Sequence, residues 1–345
     1  MELLIFLSSG LFLGWSLGAN DAANVFGTAV GTRMISFRLA AILGSIFVII
    51  GATVGGAGAA ETLGKLGDVS TLPGAFTVAL AAGVTVLWMT RLGLPVSTSQ
   101  AIVGAIIGWN LFSGIATDVG TLTKIVGTWI FCPVLSAVFA MFFYYLARWL
   151  LGVLPMSMIR MDMYTRIALA VVGAFGAYSL GANNIANVMG VFTSSSVFSP
   201  LTVLGVSVSN TVQLFALGGI AISIGIITYS RKVMETVGKG IYRLSPVAAF
   251  IVVLSSSTVL FLFASEGLKA WLIARNLPSL PLVPVSSSQA VVGAVVGIGL
   301  AKGGRNLRLR KLGKIAAGWV TTPVAAGLGS FFMLHFMQNL FLLPV

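Results

Sequence analysis

A chain of 345 residues that is 57% hydrophobic and 8% charged, with mean hydropathy +1.04, lacks the charge to cover a soluble surface. Several of its apolar runs exceed the roughly 18–20 residues needed to cross a bilayer, so the expected fold class is an all-α polytopic membrane protein. The net charge of +12 would direct a soluble protein to nucleic acid, but in a membrane protein it marks cytoplasmic loops, and no nucleic-acid partner is expected.

The N-terminus, "MELLIFLSSG", carries an acid where a signal peptide would carry basic residues, so no cleaved leader is expected. Five hydrophobic elements follow, near 3–32, 36–59, 72–90, 95–112 and 122–147, and five more near 165–197, 201–228, 246–264, 283–301 and 313–343. The first holds "GANDAANVFG" at 18–27, which sets the carboxylate of Asp21 among amides and small residues. Gly18, Ala19 and Asn20 just before it would suit a break in the helix. The fourth element opens with "PVSTSQ" at 95–100, where proline disrupts continuous helix. Cys132 in the fifth is the one cysteine, which excludes an intramolecular disulfide and any cysteine-based metal cluster. His335 in the last is the one histidine, leaving little material for histidine chemistry.

The second five elements repeat the first. "SLGANDAANVFG" at 16–27 matches "SLGANNIANVMG" at 179–190 in nine of twelve positions, and "PVSTSQAIVGAIIG" at 95–108 matches "PVSSSQAVVGAVVG" at 284–297 in ten of fourteen. Lys124, Trp129 and Pro133 recur as Lys314, Trp319 and Pro323. The offsets are 163, 189 and 190, which implies one insertion of about 26 residues, expected in the polar loop at 229–246. The division is therefore a first repeat at 1–150, a cytoplasmic linker at 151–164, and a second repeat at 165–345 that carries a cytoplasmic loop at 229–246.

If all ten elements cross, 16 of the 20 Lys and Arg fall on one side, leaving Lys65, Lys124, Lys269 and Arg275 on the other. By the positive-inside rule both termini are then extracellular and the two repeats have inverted topology. A re-entrant hairpin at 72–112 in place of a crossing pair leaves that parity unchanged. The expected architecture is two inverted repeats of five elements, with broken or re-entrant helices meeting at the midplane.

Seven of the eight acids fall in loops or at the terminus, and Asp21 alone lies inside the apolar elements. An ionisable residue there is a functional candidate by default. Asn20 and Asn24 at i,i+4, with Asp21 and Asn24 at i,i+3, turn their oxygens to one helical face, and Asn183, Asn184 and Asn187 repeat the pattern. Amide and carboxylate oxygens, with backbone oxygens freed at a break, are hard ligands suited to a hard cation. Thr98, Ser99 and Gln100, with Ser287, Ser288 and Gln289, stand instead at the starts of two small apolar helices. Helix N-termini and hydroxyls together offer an oxyanion its donors. Since neither motif holds a Lys or Arg, co-bound cations would compensate the anion's charge.

These residues are similar to a known family. "GANDAANVFGTAVG", its echo "GANNIANVMG", and the paired "PVSTSQ" and "PVSSSQ" resemble the inorganic phosphate transporter (PiT) family across nearly the whole chain. The resemblance implies a multi-pass protein of the cytoplasmic membrane, surrounded by lipid, that is not an enzyme and needs no cofactor. It implies symport of inorganic phosphate with sodium, or with protons in some bacterial members, by alternating access. Family signature residues map onto Gly18, Ala19, Asn20, Asp21 and Asn24 and onto Gly181, Ala182, Asn183, Asn184 and Asn187. Asn184 stands where the second copy often carries Asp, which bears on cation stoichiometry. A related oxyanion such as sulfate remains an alternative cargo, and an anion channel is a further one. A homodimer fits a protein with this much apolar surface.

Overall fold

The computed structural model describes every residue except 1, 93–95, 154–156, 196, 204–205, 238–243, 305–308 and 344. The first half comprises α1 (Glu2–Gly31), α2 (Phe37–Gly55), α3 (Ala57–Leu66), α4 (Leu72–Arg91), α5 (Thr98–Ser113) and α6 (Val119–Val153). The second comprises α7 (Met158–Met189), α8 (Asn210–Thr228), α9 (Ser230–Val237), α10 (Pro246–Ala264), α11 (Glu266–Ile273), α12 (Ser287–Ala301) and α13 (Leu309–Leu340). Between α7 and α8 lies an antiparallel hairpin of β1 (Leu201–Val203) and β2 (Val206–Val208), with Leu201 opposite Val208.

Among the described residues eight helices are long and apolar enough to cross a membrane: α1, α2, α4, α6, α7, α8, α10 and α13. The protein is an all-α polytopic, multi-pass membrane protein. Ten hydrophobic elements were expected, some of them broken or re-entrant, and two of the ten are too short to cross. α5 has 16 residues and α12 has 15, so each is at most about 24 Å long against an apolar slab of roughly 30 Å. Ser97 and Ser286 set their starts: each is extended, and its hydroxyl accepts the N–H of Gln100 or Gln289 at 3.3 Å.

One expectation fails at the asparagine motifs. α1 and α7 run unbroken through residues 18–27 and 181–189. Gly18 does not open the helix; it lets another helix approach. A Cβ at Gly18 would stand 1.9 Å from the carbonyl oxygen of Ile222 on α8, and one at Gly181 would stand 2.2 Å from that of Val48 on α2. Helix breaks near the site lie instead before α5 and α12.

Those two contacts also show how the halves combine. Equivalent positions make equivalent contacts, and each contact crosses to the other half. α2 packs along α7 while α8 packs along α1. α5 packs on α13 and α12 on α6, where Gly104 meets the Pro323 carbonyl and Gly293 the Pro133 carbonyl, each 2.1 Å from a built Cβ. Both prolines lie inside long helices, and the small face of the half-length helix seats against the turn they interrupt.

The same equivalences relocate the insertion. Gly51 meets the Tyr178 carbonyl as Gly225 meets that of Trp15, which fixes an offset of 174 at α2 and α8. The extra residues therefore precede α8, where the β-hairpin sits, and follow α10, where α11 sits. The stretch 229–246 is not inserted: its described part, α9, corresponds to α3, and residues 238–243 lie outside the described residues. The hairpin also replaces the helical start expected at 201, because "LTV" and "VSV" are largely β-branched.

Candidate functional site

Asp21 is 1% exposed, the one buried acid among the described residues. Its Oδ2 accepts the Ser287 hydroxyl at 2.8 Å and its Oδ1 accepts Asn20 Nδ2 at 2.8 Å. Asn24 Nδ2 donates to the same Ser287 oxygen at 3.1 Å. Ser287 is the first residue of α12, so the carboxylate of the first half is joined directly to a helix N-terminus of the second. An unpartnered carboxylate here would carry a desolvation cost of several kcal/mol. Two donors offset part of that cost and leave lone pairs for a cation.

The α7 copy joins the opposite terminus. Asn187 Nδ2 donates to Ser99 Oγ at 2.8 Å and to Asn184 Oδ1 at 3.0 Å. Ser99, in the first turn of α5, donates onward to the Val285 carbonyl at 3.1 Å. Asn183 grips the backbone of the same residue, donating to the Val285 carbonyl at 2.7 Å and accepting its N–H at 3.1 Å. The N-terminal turn of α5 and the segment leading into α12 therefore meet at Val285, with α1 on one flank and α7 on the other.

All twelve residues singled out from the sequence gather here, though not in two separate sets. Amide clusters and hydroxyl termini were expected to hold cations and anion apart. Instead Ser287 is shared between Asp21 and Asn24, and Ser99 between Asn187 and Val285. The two copies also differ in register. By the repeat, Ser287 corresponds to Thr98, whose hydroxyl is buried without a partner, and Ser99 corresponds to Ser288, which pairs with Ser286 at 3.0 Å. Asn184, in place of the carboxylate, donates to the Leu180 carbonyl at 3.1 Å within its own helix.

Four polar atoms of these residues are buried with no partner: Thr98 Oγ1, Gln100 Oε1, Asn187 Oδ1 and Gln289 Oε1. Buried polar groups are ordinarily satisfied, and these four belong to the motifs that the repeat singled out. The set is all oxygen. No group of three His, Cys, Asp or Glu that could hold a metal ion occurs among the described residues; the amide oxygens suit a hard cation rather than a transition metal, and the Thr98 hydroxyl can donate to an oxyanion.

Sequence reasoning missed four participants. Thr90, at the end of α4, donates to Asn20 Oδ1 at 3.4 Å. The backbone of Val285 carries no side-chain signal at all. Ser136 on α6 donates to the Ala290 carbonyl at 2.6 Å and Cys132 faces the Ser286 carbonyl at 3.8 Å, so α6 steadies the start of α12. The recurrence of Trp129 and Pro133 marked α6 as relevant without revealing this role.

With that geometry in place, likenesses to other proteins become informative. The sequence model of the phosphate transporter family matches residues 17–330. A protein of Pyrococcus abyssi named as a phosphate permease is 28% identical, over 94% of this chain and 95% of its own. The sulfate permease CysP of Bacillus subtilis is 30% identical, over 94% of this chain and 84% of its own. A solved structure described as the sodium-dependent phosphate transporter superposes with a TM-score of 0.78, covering 98% of this chain and 99% of that one at 24% identity, which shows a common fold.

Proposed function

The chain belongs to the phosphate transporter family, and we propose that it carries inorganic phosphate across the cytoplasmic membrane by cation-coupled symport, with sodium as the coupling ion. The carrying observation is the 2.8 Å hydrogen bond from Ser287 to Asp21. It ties the one buried carboxylate to a helix N-terminus, so a cation on Asp21 lies beside donors suited to an oxyanion. Thr98, Ser99, Gln100, Ser287, Ser288 and Gln289 bind phosphate in this reading, and Asn20, Asp21 and Asn24 bind sodium, with Asn183, Asn184 and Asn187 as the second cation cluster.

Sodium is favoured over protons because amides dominate both clusters, and an amide cannot carry a proton through a transport cycle. The two halves are read as inverted, with both termini outside, from the distribution of Lys and Arg. Alternating access then follows as the exchange of contacts between α5 and α12 and the long helices around them. Uptake of labelled phosphate into proteoliposomes, under a sodium gradient alone or a pH gradient alone, tests this reading. Rapid uptake driven by pH and indifferent to sodium would replace sodium with protons, and no phosphate uptake under either gradient would reject the function.

Sulfate is the second reading. It is favoured by the likeness to a sulfate permease at 30% identity. Labelled sulfate in the same vesicles separates the two.

A further inference from the structure

Ser97-Thr98-Ser99-Gln100 and Ser286-Ser287-Ser288-Gln289 each carry the sequence of a capping box. In that motif the cap hydroxyl accepts the N–H three residues on, and the Gln side chain reaches back to the N–H of the cap. The first arm is made in both copies, at 3.3 Å each. The second arm is made in neither: Gln100 Oε1 and Gln289 Oε1 are buried and have no partner, in residues that are 2% and 3% exposed. Local helix chemistry offers each carbonyl a donor, and both copies leave it unused.

These two acceptors stand in the first turns of α5 and α12, where the helix dipole favours an anion and disfavours a cation. Of the hydroxyls around them, Ser99 and Ser287 already donate to the Val285 carbonyl and to Asp21, while Thr98 Oγ1 is buried without a partner and is free to donate to an oxyanion. Besides facing a co-bound cation, an acceptor beside an anion can receive a hydrogen that the anion still carries. At neutral pH inorganic phosphate retains at least one P–OH, and arsenate likewise, while sulfate retains none. We propose that Gln100 and Gln289 select a protonated oxyanion, so the site separates phosphate from sulfate by the hydrogen that phosphate keeps. This rests on the reading of the site as an oxyanion carrier.

A site built to pair a substrate O–H rejects an analogue lacking it by up to about 10⁴-fold or more, because its own polar groups are then stranded. The test is uptake of labelled phosphate by the full-length protein in proteoliposomes, with unlabelled arsenate or sulfate as competitor. Arsenate is expected to compete nearly as well as phosphate, and sulfate at least about a hundredfold less well. The Gln100→Met/Gln289→Met variant keeps both caps, since the hydroxyls bond backbone N–H groups. It is expected to raise the KM for phosphate and to shrink the arsenate-over-sulfate preference by about tenfold or more. Should the double variant fail to fold, each single variant is expected to shrink the preference partially. Sulfate competing as well as phosphate in the unaltered protein would overturn the proposal while leaving phosphate transport intact. Variants that transport phosphate with the full preference retained would overturn it too. Uptake of sulfate with none of phosphate would sink both this inference and the phosphate reading beneath it.

Discussion

At the scale of single residues, the proposed function turns on Asp21 and on Ser287, which are joined by a 2.8 Å hydrogen bond. The carboxylate was legible from sequence because it is the one acid inside the apolar elements. Its partner was not, since Ser287 lies 266 residues away. Replacing Asp21 by Asn keeps the shape and both neighbouring groups but removes the charge. A hydrogen-bonded charge interaction is typically worth about 1.5–3 kcal/mol, so coupled uptake is expected to fall at least about tenfold while expression and insertion persist. Near wild-type transport with unchanged sodium dependence would remove Asp21 from the cation site. Ser287→Ala should leave Asp21 charged but unsteadied. Loss of a group that orients an ion's ligand typically weakens binding about 10–100-fold, so the sodium half-saturation concentration should rise accordingly. Flux measured across a sodium series reads this directly.

At the scale of elements, the half-length helices depend on small residues seated against interrupted turns. Gly104 and Gly293 have no room for a methyl group beside the carbonyls of Pro323 and Pro133. Gly104→Ala should therefore destabilise the protein by about 1–3 kcal/mol, the usual range for overpacking. Gly64 on α3 has nothing within 4 Å of a built Cβ. Gly64→Ala should be neutral or stabilising, by up to about 1 kcal/mol, since alanine is the better helix former. Thermal unfolding of the two purified variants in detergent checks both signs. Equal effects would mean that the α5–α13 contact is looser than its geometry implies. The starts of α5 and α12 were legible because Ser-x-x-Gln after a proline is a helix-start signal. The continuity of α1 and α7 was not. Gly18 read as a break in the sequence, and only the helices lying against Gly18 and Gly181 explain why glycine is there.

At the scale of the whole molecule, the cross-half contacts join the proposed cation and anion sites, so the two ligands are expected to bind as one event. A hydroxyl shared between Asp21 and the α12 terminus is set by either ligand and felt by the other. Affinity for phosphate should therefore rise with sodium, and affinity for sodium with phosphate, by the same factor, about 5–150-fold for typical couplings of roughly 1–3 kcal/mol. Titration calorimetry with each ligand varied at fixed levels of the other measures both directions. Phosphate affinity independent of sodium would reject a shared site. Orientation is tested separately. Cys132 is buried and is the sole cysteine, so the native protein is a quiet background for labelling. Asp118→Cys should react with an impermeant maleimide added outside intact cells, and Arg160→Cys only after the membrane is opened. The reverse pattern would invert the assigned topology.

Composition alone determined that this chain lives in a membrane, because no soluble surface can be built from so few charges. The internal repeat determined that there are two halves and singled out twelve candidate residues, because polar residues in an apolar sequence stand out against their background. Tertiary structure decided how those residues combine. Each half's amide cluster meets the other half's helix terminus, and Ser287 and Ser99 lie one register apart in the repeat. A repeat in sequence predicts equivalence, and packing need not honour it. Once Asn184 replaces the carboxylate, its amide bonds the Leu180 carbonyl within α7, while Asp21 holds a hydroxyl from across the molecule. Which oxygens end up without a partner depends on contacts between residues far apart in the chain, and those contacts form only when the helices pack.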